Sequence, residues 1–279
     1  MRLLLPIMLL LFSAPAAADS GSLKGAMTQG GLVVGRTEPG TVVIFDGRKV
    51  RVSPEGVFVI GFSRDAPPTA KLELHHPDGA MHTKTLQVKK RKYRIQRIDG
   101  LPPKMVTPPR EVLARIRREN AMIGRARNRD TPVPYFMKGW IWPAKGRVSG
   151  VYGSQRILNG KPRRPHFGVD VAAPVGTPIV APSDGVVRLA ESDLYYTGGT
   201  VIIDHGHGVS SAFLHMRDVT ATVGKKVRQG EKIGTLGATG RATGPHLDWR
   251  INYFRARVDP ALLVPPMPKP VKERKKRKR

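Results

Sequence analysis

Three of the eight histidines in this 279-residue chain, His166, His215 and His246, stand in apolar stretches punctuated by glycine. His166 opens HFGVD, four residues before Asp170, and both side chains are metal-ligand types. Gly168 between them is expected to let the backbone turn tightly. His246 lies in GPHLDWR. In a strand, residues two apart share a face, so His246 and Asp248 enter one site while Leu247 points to the core. His215 closes the apolar run Ala212-Phe213-Leu214. Taken singly, each histidine is explained as well by a satisfied structural role, and one H-x-x-x-D is a weak signal. What lifts the reading is their conjunction in a fixed order of motifs; any metal here would have to sit on His and carboxylate side chains. A second group, His75, His76 and His82, flanks one turn; a turn offers no burial and no outer hydrogen-bonding layer to orient ligands, so it is expected to be structural.

Absences narrow the chemistry. The chain has no cysteine, which removes disulfides, thiolate ligands and a cysteine nucleophile. Neither H-E-x-x-H nor G-x-S-x-G occurs, so a helix-borne glutamate base and a serine nucleophile elbow are both missing.

The elements that must position these residues are short strands. The 30 glycines, 25 prolines and 6% aromatics favour strands and turns over a helical bundle, and 40% hydrophobic residues suffice for a packed core. From 132 to 264 the candidate strands are 148–152, 178–181, 185–190, 200–204, 210–215, 232–236 and 246–253. Two stretches echo one another, VGTPIVAPSDGVV (175–187) and VGKKVRQGEKIG (223–234), suggesting a repeat. Between 19 and 100, apolar runs alternate with turn signals such as Asp46-Gly47 and Ser53-Pro54-Glu55-Gly56, giving a small β-sandwich-like domain of about six or seven strands. Over 101–131 a Pro-rich joint (Pro102, Pro103, Pro108, Pro109) leads into a basic linking helix with Val112, Ile116 and Ile123 near one face.

The ends and the charge speak to location. Arg2, an apolar run over 3–12 and Ala16-Ala17-Ala18 read as a signal peptide over 1–18, with Asp19 as the mature N-terminus and a bacterial periplasm or cell envelope as destination. A net charge of +27 implies an anionic partner. Nucleic acid is excluded by the expected export and by the lack of a nucleic-acid motif or stacking aromatics near the basic runs. The envelope is itself polyanionic, and the disordered basic tail over 265–279 is expected to meet anionic envelope polymers or the membrane surface.

Residues 166–250 resemble the lysostaphin/LytM zinc endopeptidases, in the blocks HFGVDVAAPVGTPIVAPSDGVV (166–187), IDHGHGVSSAFLHM (203–216) and VGKKVRQGEKIGTLGATGRATGPHL (223–247). The segment from Trp142 through Ser149-Gly150-Val151-Tyr152-Gly153 is similar to the family's lead-in. The resemblance implies a mainly β, Gly-rich antiparallel barrel or sheet over 132–264. It implies that His166 and Asp170 bind Zn²⁺, that His215 and His246 are catalytic, and that peptide cross-bridges of bacterial peptidoglycan are the substrate. The family shows His-Leu-His where this chain has His246-Leu247-Asp248, so Asp248 falls in the third ligand's place. An aspartate oxygen can bind zinc at about 2.0–2.2 Å, but a second carboxylate makes the bound water less acidic. Arg250, on the same face, could offset that charge or pair with Asp248 in the metal's stead. The alternative function is therefore a catalytically degenerate scaffold that activates a peptidoglycan amidase or joins a divisome protein.

Overall fold

Short apolar runs broken by glycine turns make this chain mainly β. The computed structural model describes residues 22–100 and 106–268. The expected leader over 1–18, Pro102 and Pro103 of the joint, and the basic tail from 269 onward lie outside the described residues.

Eight strands precede the joint: β1 (Ser22–Gly25), β2 (Leu32–Arg36), β3 (Val42–Phe45), β4 (Arg48–Val50), β5 (Val57–Gly61), β6 (Thr69–His75), β7 (Met81–Gln87) and β8 (Ile95–Ile98). Asp46 and Gly47 take φ of 46° and 75°, the left-handed pair that a two-residue turn between β3 and β4 requires. Antiparallel sheets β1-β2-β5 and β4-β3-β6-β7 enclose Val33, Val43, Phe58, Ile60, Leu72 and Leu74. β5, VFVIG, is buried at every position. Alternation sends Phe58 and Ile60 into this first core, while Val57 and Val59 join Leu32 in a second, larger core built mostly by the C-terminal strands.

A 3₁₀ turn (Arg110–Val112) leads into α1 (Leu113–Arg127). α1 packs Met122, Ile123 and Ala126 against Leu189, Leu194, Ile202, Ala212 and Leu214, and Arg115 ties it to the sheet by pairing with Glu119 and Asp193. Then follow β9 (Arg147–Gly150), β10 (Gln155–Leu158), β11 (Lys161–Pro162), β12 (Val169–Ala172), β13 (Pro178–Val180), β14 (Gly185–Leu194), β15 (Gly198–Gly206) and β16 (Val209–Val219). β17 (Lys226–Val227), β18 (Lys232–Leu236), β19 (His246–Tyr253) and β20 (Ala256–Val258) complete the set.

The principal sheet runs β17-β14-β15-β16-β19-β12-β9, all antiparallel, with β18 on β16 and β20 on β19. The two echoing sequence stretches pair with each other, β13 on β18 and β14 on β17. Seven strands were not anticipated from the sequence: β1, β8, β10, β11, β12, β17 and β20. β8 pairs in parallel with β10, so a strand from before the joint completes a small sheet, β11-β10-β8, beside the principal one.

Candidate functional site

The site forms where β12 and β19 run side by side. Their register sets Asp170 opposite Asp248 and Ala172 opposite His246. Along β19 the side chains alternate as expected: Leu247 and Trp249 are fully buried in the larger core, while His246 and Asp248 face the other way. On the far side of β19, Leu214 of β16 stands opposite Asp248. The next residue, His215, takes a left-handed φ of 66°, a conformation that is costly for a side-chain-bearing residue and that clusters at functional sites. His166 enters just before β12, its backbone tied to Ser154 O at 2.8 Å and to Gly153 N at 2.7 Å.

His166, Asp170 and Asp248 are all buried and each offers one ligand atom within 4.8 Å of the others; they are the group of His, Asp or Glu residues that could hold a metal among those described. His166 Nε2 lies 3.0 Å from Asp170 Oδ1, and His166 Nδ1 lies 4.0 Å from Asp248 Oδ2. Proximity does not become hydrogen bonding here: both His166 nitrogens and Asp170 Oδ1 are buried with no hydrogen-bond partner. Buried unpaired polar atoms cost about 1–3 kcal/mol each, and a cation bound by Asp170 Oδ1 and one His166 nitrogen removes that cost for those two atoms.

Arginines hold the rest of the two carboxylates. Arg156 Nη2 donates to Asp170 Oδ2 at 3.2 Å. Arg250 grips Asp248 bidentately, Nε to Oδ1 at 3.0 Å and Nη2 to Oδ2 at 2.5 Å. Burial opposes the Asp248 charge, but Arg250, His166 and His215 outweigh it and hold the carboxyl well below its ordinary range. A carboxylate has about four acceptor positions, so Asp248 can keep Arg250 and still face a metal. The donor set thus fits a divalent ion.

His215 and His246 lie beside this group, ring centroids 4.8 Å apart. His215 Nδ1–H donates to Thr239 O and His246 Nδ1–H to Gly244 O, both at 2.8 Å. Since a carbonyl only accepts, each ring carries a proton on Nδ1, so that in the neutral form Nε2 holds the lone pair. His246 Nε2 is 3.9 Å from Asp170 Oδ1. Burial drives His215 down to about 4 against the pull of Asp248, so it is neutral near pH 7. Asp170, His215 and His246 line a cavity of about 290 Å³.

All five residues singled out in the sequence come together. Gly168 does so for a different reason than expected: its φ is not left-handed, and what it supplies is room, because a Cβ there would collide with Asp248 Oδ1. Sequence reasoning missed Arg156 and the Thr239 carbonyl, which reach the site from segments that local pattern does not connect, and the Gly244 carbonyl, a local partner two residues before His246. Three of the other histidines have evident structural partners. His76 bonds Glu38 at 2.6 Å and packs edge-on against His82. His205 donates from Nδ1 to Asp184 O at 2.6 Å and accepts from Ser211 Oγ at 2.7 Å.

A family model described as Peptidase family M23 matches residues 164–260. Over 130 residues the chain is 35% identical to the peptidoglycan DD-endopeptidase ShyA of Vibrio cholerae, covering 44% of this chain and 30% of that protein. It is 40% identical over 122 residues to the DD-carboxypeptidase/endopeptidase Mpg of Neisseria meningitidis, covering 44% and 28%. The chain therefore spans less than a third of the length of these curated relatives. Among solved structures, a putative M23 peptidase from Pseudomonas aeruginosa is 31% identical, covers 85% of this chain and 94% of its own, and superposes with a TM-score of 0.65.

Proposed function

The chain belongs to peptidase family M23, and from that premise we propose that it is a zinc-dependent endopeptidase that hydrolyses peptide cross-bridges of bacterial peptidoglycan. The observation that carries this reading is the convergence of one ligand atom each from buried His166, Asp170 and Asp248, with the His166 ring nitrogens and Asp170 Oδ1 lacking any hydrogen-bond partner. A relative named as a peptidoglycan DD-endopeptidase, and another named as a DD-carboxypeptidase/endopeptidase, support the substrate class.

His166, Asp170 and Asp248 would hold the zinc, which when bound supplies Lewis acidity and a water acidified toward about 7. The remaining work falls to side chains. His215 and His246, each with Nδ1–H fixed on a carbonyl, hold Nε2 free to accept a proton and then deliver it to the leaving amine. Neutral His215 is in the state a proton acceptor needs. Arg156 and Arg250 orient the two carboxylates and offset one negative charge apiece. That answers the electrostatic objection to a two-carboxylate site: the arginines restore the positive character a second histidine would have given.

One observation favours a second reading. Both oxygens of Asp248 are already satisfied by Arg250, as a metal-free scaffold that activates an amidase would require. Zinc titration of the full-length protein separates the two. Under the hydrolase reading zinc binds near one per chain, Asp248→Ala loses it, and Arg250→Gln weakens binding because Asp248 is no longer oriented. If Arg250 instead stands in the metal's place, the wild type is nearly zinc-free and Arg250→Gln strengthens binding. The sign of the Arg250→Gln effect decides.

The same reading puts the protein in the bacterial envelope, exported by the leader expected over 1–18, with its positive charge drawn to anionic envelope polymers. Among the described residues no helix is long and apolar enough to cross a membrane.

A further inference from the structure

The cavity beside Asp170, His215 and His246 has a wall that the reaction leaves unexplained. Arg147 of β9, Arg156 of β10 and Arg241, from the loop before β19, line it together. Asp170 is the acidic residue in that lining, and its Oδ2 is already engaged by Arg156. The wall therefore sets three guanidinium groups against one carboxylate. Arg241 lies over the Tyr196 ring at 4.5 Å; burial, and then repulsion from Arg156, Arg250 and Arg163, pull it below the usual arginine range against the opposing pull of Tyr196. A basic protein carries many arginines on solvated convex surface, where crowding costs little. Here the crowding occurs in a concavity next to the reacting centre, the arrangement that binds anions. A different kind of group adds to it: Gln96 of β8 lines the same cavity, and its Oε1 is buried with no hydrogen-bond partner. An orphaned acceptor matches a peptide N–H.

We propose that this wall binds a free carboxylate that the substrate peptide carries next to the scissile amide, with Arg147 and Arg241 as the specificity-determining residues and Gln96 accepting a backbone N–H. The proposal deepens the hydrolase reading and rests on it. Guanidinium groups match a carboxylate in both charge and planar geometry, which lysine would not do. Bridges made only of glycine carry no such group and are disfavoured; peptides with a free side-chain or terminal carboxyl beside the cut bond are favoured. Because Gln96 reaches the cavity through the parallel pairing of β8 with β10, the segment before the joint contributes to substrate choice.

The test uses two soluble D-amino-acid-containing peptide dimers, identical except that the carboxyl adjacent to the scissile amide is free in one and a carboxamide in the other. With zinc-loaded full-length protein, kcat/KM for the acid should exceed that for the amide by roughly tenfold or more, the size of a charge-assisted hydrogen bond, and mainly through KM. Arg147→Gln and Arg241→Gln should each shrink that ratio, and the double variant should bring it near one. Arg147 is exposed, so its variant keeps the test interpretable should Arg241→Gln not fold. Equal kcat/KM for acid and amide in the wild type overturns the proposal. If neither peptide is cleaved, the hydrolase reading fails on its own and calorimetry of the same pair decides. Tighter binding of the acid that is lost in Arg147→Gln supports the carboxylate site; equal binding, or none, overturns it.

Discussion

Both carboxylates of the candidate metal site lie over a glycine. Gly150 sits under Asp170 and Gly168 under Asp248, each so close that a Cβ would collide with a carboxylate oxygen. At Gly168 the added atom would also come within 2.6 Å of Trp249 O and 2.7 Å of Arg250 Cγ, so neither strand β19 nor the Arg250 stem can step aside cheaply. Gly168→Ala is therefore expected to cost about 2–3 kcal/mol, as overpacking does, and to displace Asp248 from His166. Its zinc affinity should fall further than its stability, seen by zinc titration beside urea unfolding; a variant that binds zinc like the wild type would remove Gly168 from the site's construction. The sequence pointed to Gly168 but suggested turning rather than spacing. Both explanations look alike in HFGVD, because the atoms Gly168 must clear belong to a strand about eighty residues on.

Strands with long apolar runs were legible, and those made by their partners were not. β14, β15, β16, β18 and β19 follow from runs such as TVIID and SAFLH; the structure keeps the expected bounds of β18 and β19 and extends the other three by a few residues. β8 reads as the end of a basic stretch, VKKRKYRIQR, and becomes a strand only through parallel pairing with β10; β12 is four residues long and is held on both edges, by β9 and β19. The pair β15–β16 also carries a titratable group whose behaviour follows from its element. β15 is buried along its whole length, and burial lowers His205 to about 4 against its bond to Asp184 O. Unfolded, that imidazole titrates near 6.5. Between those values the unfolded chain takes up a proton that the folded chain refuses, so this contribution is complete above about pH 6.5 and is lost as pH falls toward 4. It amounts to about 3 kcal/mol across the window. His205→Gln keeps an amide donor and acceptor but cannot titrate. Urea midpoints at pH 7.5 and 4.5 should differ less in this variant than in the wild type, and an unchanged difference would show that other groups set the acid limb.

At the scale of the molecule, β5 joins what the sequence presented as two separate pieces. Phe58 and Ile60 belong to the smaller core, whereas Val57 and Val59 belong to the larger one with Trp249, Ile251 and Val258. Polar ties run the same way: Arg91 pairs with Asp259 at 2.9 Å, Arg64 Nε donates to Gly153 O at 2.7 Å, and Asp259 N donates to Gly30 O at 2.7 Å. A strand buried on both faces cannot leave one core without opening the other, so the two should unfold in a single transition. The tryptophans make this measurable, because Trp140, Trp142 and Trp249 all pack in or against the larger core and none lies in the smaller. Ile60→Ala removes fully buried methyl groups from the smaller core at a cost of about 2–5 kcal/mol. Coupled through β5, that loss should lower the midpoint reported by tryptophan fluorescence and the one reported by far-UV circular dichroism by the same amount. An early dichroism change with the fluorescence midpoint left in place would mean that the smaller core unfolds alone. In that event β8 and Gln96 could be withdrawn from the cavity wall by local unfolding, whereas a single transition keeps that wall in place for as long as the site itself is folded.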